Sequence, residues 1–496
     1  VAAALLSIRS HSAVYAQGAR SATRAETSYR SKVDAQSYFV RGADGEVRRS
    51  TARARQEWQR ERFGGNPPAD LAGRLMRELT KQQQRYPGQV AGAKPAAGVP
   101  QWEFIGPNRD TKVQNGVTLN VVDGLPYTHA DFHAAAFTNI GGKPTVFFGT
   151  DGGLSVSRDG GASWDDTKNR GLATHLIYAL ATSGVDRSTV LIGLQDNGTR
   201  FRRGISKVYN QTFGGDGFGT GWSQANGKIA VGSLYFSYIF YSDQKPNDQS
   251  KWQQPTGDPS NFCLASGIDT CNANFVTSIA TPTAAADSTG LVFFTNTKDY
   301  LYRTTDGAAS WKPIFVGEPD NPDKDYFRPA QHVTGVHHTD LNRIAAVALE
   351  GFVRITTDGG KTWRAQDIKI PGYEGYNANI AWAGDETLYV ASENPYGDQT
   401  VYVLKSTDTG RTWKPAASGL PLVPVTKLLV SPRDPSGNTL YAATWIGVYQ
   451  TTDGGAHWRL FGAGLPAVQV SDLYLPADGS FLRVSTYGRG IWQVAL

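Results

Sequence analysis

Four acidic motifs carry the side chains best suited to chemistry in this 496-residue chain. They are Asp131 in HADFH, Asp151 in GTDGG, Asp196 in LQDNGT and Asp216 in FGGDGFG. Two carboxyl groups flanking a glycosidic bond can hydrolyse it, one protonated as acid and one ionised as base or nucleophile. Retaining chemistry needs them ~5–5.5 Å apart and inverting chemistry ~6.5–9.5 Å. The four aspartates form the candidate catalytic pool, with Asp151 and Asp196 placed first. The same oxygens could hold Ca2+, although neither reaction requires a cofactor. Asp-Gly and Asn-Gly are also ordinary turn dipeptides, so the reading depends on where the chain puts them.

His129, Asp131 and His133 alternate in HADFH, which invites a three-ligand metal site. A strand rises ~3.3 Å per residue, so the two histidines stand roughly 13 Å apart along it. Metal ligands must lie within ~2.0–2.2 Å of the ion, and a straight strand brings only one of them there. His129 and Asp131 are therefore expected near the rim of a shared site, and His133 deeper, as a hydrogen-bonded packing residue.

The elements that position these motifs come from a repeat. SRDGGASW (157–164), TTDGAASW (304–311), TTDGGKTW (356–363), STDTGRTW (406–413) and TTDGGAHW (451–458) share the pattern S/T-x-D-x-G-x-T/S-W, called the box below. The carboxylate of each box can accept hydrogen bonds from the turn that follows it. The glycine supplies a backbone angle other residues resist, and a strand pattern precedes each box. Asp159, Asp306, Asp358, Asp408 and Asp453 thus read as turn residues. An active site needs one constellation, whereas a repeated turn needs its turn residue five times.

The boxes start 147, 52, 50 and 45 residues apart. The first gap is close to three units of 49, so two units without a box fit inside it. Units of this length with four short strands predict an all-β fold, a single propeller of seven or eight blades. The strand in QWEFIGP (101–107) is expected to complete the last blade, closing the ring with both chain ends and removing open edges.

Box turns lie on one face of such a disc, and the intervening turns on the other. Asp131, Asp151, Asp196 and Asp216 all fall on that second face. His129, Gln195, Asn197, Glu350, Glu393, Trp445, Tyr487 and Arg489 fall there too, as candidate ligand-binding residues. Carboxylates, aromatic platforms and an arginine suit a carbohydrate site.

Composition narrows the remaining classes. With 55 glycines and 12 tryptophans, the chain suits a turn-rich β protein better than a helical bundle. The first hundred residues hold 17 basic and 8 acidic residues, the rest 32 and 36. The slightly acidic body offers no stripe for a phosphate backbone, and no stretch nears the ~20 apolar residues of a membrane span. Residues 1–22 resemble a degraded signal peptide, and 23–100 a basic helical arm and linker that leans on a propeller at 101–496. Cys263 and Cys271 read as a local disulfide in an exported protein.

The boxes resemble those of the bacterial neuraminidase repeat. HADFH, GTDGGLSVSRDGGASW, GLQDNGT, GGDG and STYGRGIW, in this order, resemble the secreted Asp-box propellers of the glycosyl-hydrolase-like group, related to xyloglucanase-like and sortilin-like propellers. The resemblance covers about 101–496. It implies a secreted or periplasmic monomer that binds, and in some members hydrolyses, a glycan. The arginine triad and Tyr–Glu pair of a sialidase are not found, and one propeller takes the place of the two that frame a xyloglucanase cleft. The alternative is a non-catalytic propeller for an extracellular protein or a cell-surface glycan.

Overall fold

The computed structural model describes residues 70–496 except 93–94, 108, 115–116, 121–127, 130–131, 245, 247, 249–250, 256–272, 299, 317–333, 348–351, 369–370, 374–377, 396–398 and 435, together with strands Phe39–Arg41 and Val47–Arg49. The expectations for residues 1–22, Asp131, Glu350, Cys263 and Cys271 lie outside the described residues. The two arm strands pair antiparallel, in a region whose composition suggested helix alone.

Among the described residues, eight sheets of three or more strands form, antiparallel but for one parallel pair. Seven of them follow one another around a ring. Their innermost strands are Ile177–Thr182, Thr220–Trp222, Ile279–Ala280, Thr334–Val336, Ala378–Trp382, Val425–Val430 and Val470–Tyr474, which define blades 1 to 7. The fold is the all-β propeller expected. The eighth sheet (Phe132–Ile140, Lys143–Thr150, Gly153–Ser157) carries the first box and is discussed below.

Strand periodicity explains the ring. Successive side chains point to opposite faces, and a blade is covered on both, so its strands read as continuous apolar runs. Phe293 and Phe294 are adjacent and fully buried. Phe293 packs with Ile229 and Val231 of blade 2, Phe294 with Ile344 and Ala346 of blade 4. Seven such layers succeed one another, the last joining Ile105 and Ile491 of blade 7 to Ile177 and Ile192 of blade 1. The eighth sheet shares none of these layers, and its first strand is exposed throughout.

Blade 7 is completed as expected: Glu103–Gly106 pairs with Ile491–Ala495. The next segment, Arg109–Gln114, runs parallel to Val208–Phe213 and extends blade 1 outwards. The seam between blades 7 and 1 holds two buried charges. Asp472 accepts from the Leu180 N–H at 2.9 Å and from Lys427 Nζ at 2.5 Å, tying blade 7 to both neighbours. Arg483 donates to Thr182 Oγ1 at 2.8 Å and to the Arg187 carbonyl at 3.1 Å. Burial pushes its guanidinium down to about 10.

Every box is built alike. The hydroxyl of Ser157, Thr304, Thr356, Ser406 or Thr451 donates to the aspartate at 2.7–2.8 Å. The aspartate also accepts from the N–H and the side chain four residues on. His457 replaces a hydroxyl residue in the last box and still reaches Asp453, at 2.7 Å. Ala308 replaces a glycine and holds φ at +74°. That left-handed angle costs roughly 1–2 kcal/mol, offset in part by about 0.8 kcal/mol from its buried methyl group. The box tryptophans stitch blades together: Trp363 and Trp458 donate to Ile314 and Ala416 of the preceding blades, each at 2.8 Å.

Helix α1 (Leu71–Arg85) lies in the basic arm. Leu71, Leu75, Leu79 and Gln82 form its buried face. Leu71 and Leu75 pack on Val423, Trp445 and Ile446 of blade 6.

Two outcomes follow from this architecture. Asp472→Ala leaves Lys427 and the Leu180 N–H without their buried partner and should lower unfolding free energy by roughly 3–5 kcal/mol, read by denaturant titration. Hydrogen bonds from Ser163, Thr412 and His457, set against slight burial, push Asp159, Asp408 and Asp453 down to about 2. Folded values below the unfolded one stabilise above pH 4, and that contribution is lost as pH falls through 2. Melting temperatures measured from pH 5 to 2 should therefore drop across that window, and less so when Asp408 and Asp453 are both Asn.

Candidate functional site

The site is built on two turns and a crossing. The turn Leu194–Gly198 joins two strands of blade 1, and 214–219 crosses from blade 1 to blade 2. Glycines allow these backbones to touch. A Cβ on Gly193 would stand 2.1 Å from the Phe218 oxygen, and one on Gly217 would stand 2.5 Å from the Gly198 oxygen. In this contact the Asp216 carboxylate, 5% exposed, accepts from the Asp196 N–H at 2.8 Å. That bond helps hold Asp196 at φ +57°, a left-handed angle that Asp tolerates better than most residues.

The third part is the turn at Asp151, between the last two strands of the outlying sheet. Asn197 Nδ2 donates to the Asp151 carbonyl at 2.9 Å, and a ring nitrogen of His129 lies 3.0 Å from the Asp196 carbonyl. Gly152 leaves room for this, since a Cβ there would sit 2.5 Å from that of His129. The outlying sheet is thus fastened to blade 1 through the candidate site residues themselves.

His133 departs from its expectation. Its Nε2 lies 2.6 Å from Asp151 Oδ1, and its side chain is 40% exposed, so it is no packing residue. The cause is local: the strand register shifts between Phe132 and Ala134, which makes His133 the extra residue of a bulge. A bulge re-aims a side chain, and the straight-strand estimate does not apply. Both histidines reach the site, one at each aspartate.

The Asp151 and Asp196 carboxyl groups are neighbours whose charges act on each other. Burial raises the Asp151 carboxyl above the ordinary carboxylate range; the hydrogen bond from His133 opposes this, and the charge and hydrogen bond of Asp196 add to it. A neighbouring like charge disfavours the ionised form of a carboxyl group. Gln195 is 7% exposed and orients the pair from behind. Its Nε2 donates to Asp196 Oδ2 at 2.9 Å, and its Oε1 accepts from Tyr178 Oη at 3.0 Å and from Tyr487 Oη.

A cleft of about 70 Å3 opens beside the pair, lined among others by Asp166, Arg170, His175 and Asn197. Three of these lie in the loop after the first box and were not singled out in the sequence. Asn169, in the same loop, is tied to Leu154 N and O at 2.7 and 3.0 Å, holding the loop beside the Asp151 turn. One signal was present: DDTKNRG follows this box where the others are followed by short strands.

The remaining candidates are dispersed. Arg489 donates to the Gly488 carbonyl at 2.6 Å. Glu393 is 2% exposed, and Trp445, expected as an open platform, is 7% exposed beneath α1. Among the described residues no three His, Cys, Asp or Glu side chains are grouped to hold a metal ion, and no helix is long and apolar enough to cross a membrane.

The geometry sets opposite expectations for the two neighbours of Asp151. Asp196→Asn removes the repelling charge and should bring the Asp151 titration down. His133→Ala removes a stabilising hydrogen bond and should move it further up. Carboxyl-carbon NMR titration of the three proteins checks both signs.

No family model matches the sequence, and no curated protein does. Solved structures do match. An ancestral GH74 enzyme shares 15% identity at a TM-score of 0.51, over 78% of this chain and 61% of that one. The GH74 xyloglucanase of Xanthomonas campestris shares 19% at 0.48, over 74% and 51%. YCF48 bound to a D1 peptide shares 14% at 0.45, over 66% and 94%. The chain spans about half to three fifths of the length of these two GH74 structures. What it has in common with them is the β-propeller fold.

Proposed function

We propose that this chain is a secreted Asp-box propeller that binds a glycan in the cleft beside Asp151 and Asp196 and does not hydrolyse it. One observation carries the choice between binding and hydrolysis. Both carboxyl groups are already engaged by fixed partners, Asp151 by His133 at 2.6 Å and Asp196 by Gln195 at 2.9 Å, whereas glycoside hydrolysis needs one of them to give its proton to the leaving group across a gap of ~5 Å or more. Asp216 and Gln195 are likewise engaged in holding the turn.

A cleft with a few fixed polar groups suits recognition of sugar hydroxyls. The Asp151 and Asp196 carboxyl groups offer acceptors, while Arg170 and Asn197 line the same space. No cofactor enters this reading.

Calorimetric titration with an oligosaccharide panel should find a ligand whose affinity falls at least tenfold in Asp151→Ala and is unchanged by a chelator. Reducing ends should not accumulate on prolonged incubation. Turnover that disappears in both Asp151→Asn and Asp196→Asn would instead establish a hydrolase.

A further inference from the structure

Helix α1 sits on the ring without being part of it. Blade 6 has its four strands, Val425–Val430, Leu440–Thr444, Gly447–Thr451 and Arg459–Leu460, without any contribution from the helix. The ring is closed by Glu103–Gly106, beyond the helix in the chain. What holds α1 is one face, with leucines at i, i+4 and i+8 and a glutamine at i+11.

That face reads the rim in detail. Leu71 and Leu75 enter an apolar groove of Val423, Trp445 and Ile446. Gln82 Nε2 donates to the Ile446 carbonyl and to Tyr449 Oη, both at 3.1 Å and both buried. Glu78 accepts from the Leu422 N–H at 3.3 Å, and Arg74 donates to the Pro395 carbonyl at 3.2 Å on the neighbouring blade. Three of these four bonds use backbone groups of turns that no strand occupies, as in helix-in-groove recognition.

The fit is also incomplete. A cavity of about 150 Å3, lined among others by Leu79, Val90, Ile446 and Leu460, remains under the C-terminal half of the helix. Asp70, at the helix start, makes no capping hydrogen bond and pairs with Arg77 at 2.7 Å. Gly73 lies in the first turn. A 15-residue helix of this kind is marginal in water by itself, so its formation is coupled to docking.

We infer that Val423, Trp445 and Ile446 form a helix-binding groove and that the arm is its displaceable occupant in cis. The groove accepts in trans an amphipathic helix with the same Leu, Leu, Leu and Gln spacing. This is independent of the glycan reading, because the groove lies on blades 5 and 6 and the cleft at blade 1.

The test uses the full chain with a protease site placed in the linker at 91–98. After cleavage the arm should stay bound, and a fluorescent peptide of residues 70–86 in excess should exchange with it while the ring melts at an unchanged temperature. The same peptide with Leu75→Asp and Leu79→Asp should fail to exchange, and Trp445→Ala in the ring should weaken peptide binding at least tenfold. The inference is overturned if the cut arm leaves only as the ring unfolds, or if the charged peptide exchanges as well as the natural one. The charged-peptide arm uses the unmodified ring, so it decides the matter even if Trp445→Ala does not fold.

Discussion

A ring of sheets has one joint that the chain cannot make by simple succession, and here it is the contact between blades 7 and 1. The six other joints are apolar layers, and this one has such a layer too. At this joint the fold adds buried charge: Asp472 bonded to both neighbouring blades and Arg483 reaching across to Thr182. Buried charges tolerate few geometries once desolvated. They fix how blade 1 stands against blade 7, where an apolar layer alone would allow sliding.

The candidate site lies on that joint. Tyr487 comes from blade 7 and Tyr178 and Gln195 from blade 1, and all three meet at one side-chain oxygen. The backbone follows the same path, with Gly488 N–H donating to the His175 carbonyl at 2.9 Å. The position of Asp196 is therefore set by the closure of the whole ring as well as by its own turn. The outlying sheet then adds Asp151 from outside. Its box has the same hydrogen bonds as the boxes inside the ring, because that network is contained within eight consecutive residues and needs no neighbouring blade.

The sequence was most legible where structure is local and repeated. The boxes, the two units without a box and the strand that completes blade 7 could be read because each leaves a period-two run or a turn signature. The convergence of Asp151, Asp196 and Asp216 followed from counting turns. Three features were not legible. The bulge that turns His133 onto Asp151 comes from a register shift, which no residue type announces. The burial of Trp445 depends on a helix more than 350 residues earlier in the chain. The outlying position of the first box's sheet shows only in which apolar layers it fails to join, and a strand pattern is the same inside or outside a ring.

Ring closure removes free strand edges, and the outlying sheet brings one back. Phe132–Ile140 pairs with a strand on one side only among the described residues. It spans nine residues with no lysine, arginine, aspartate or glutamate, and Phe137 is 74% exposed. Natural sheets usually protect such an edge with charge, proline or a short length, and this strand's only interruption is the bulge at His133. The sheet that takes no part in the ring's core thus presents an edge without these protections among the described residues, and it also supplies half of the carboxyl pair.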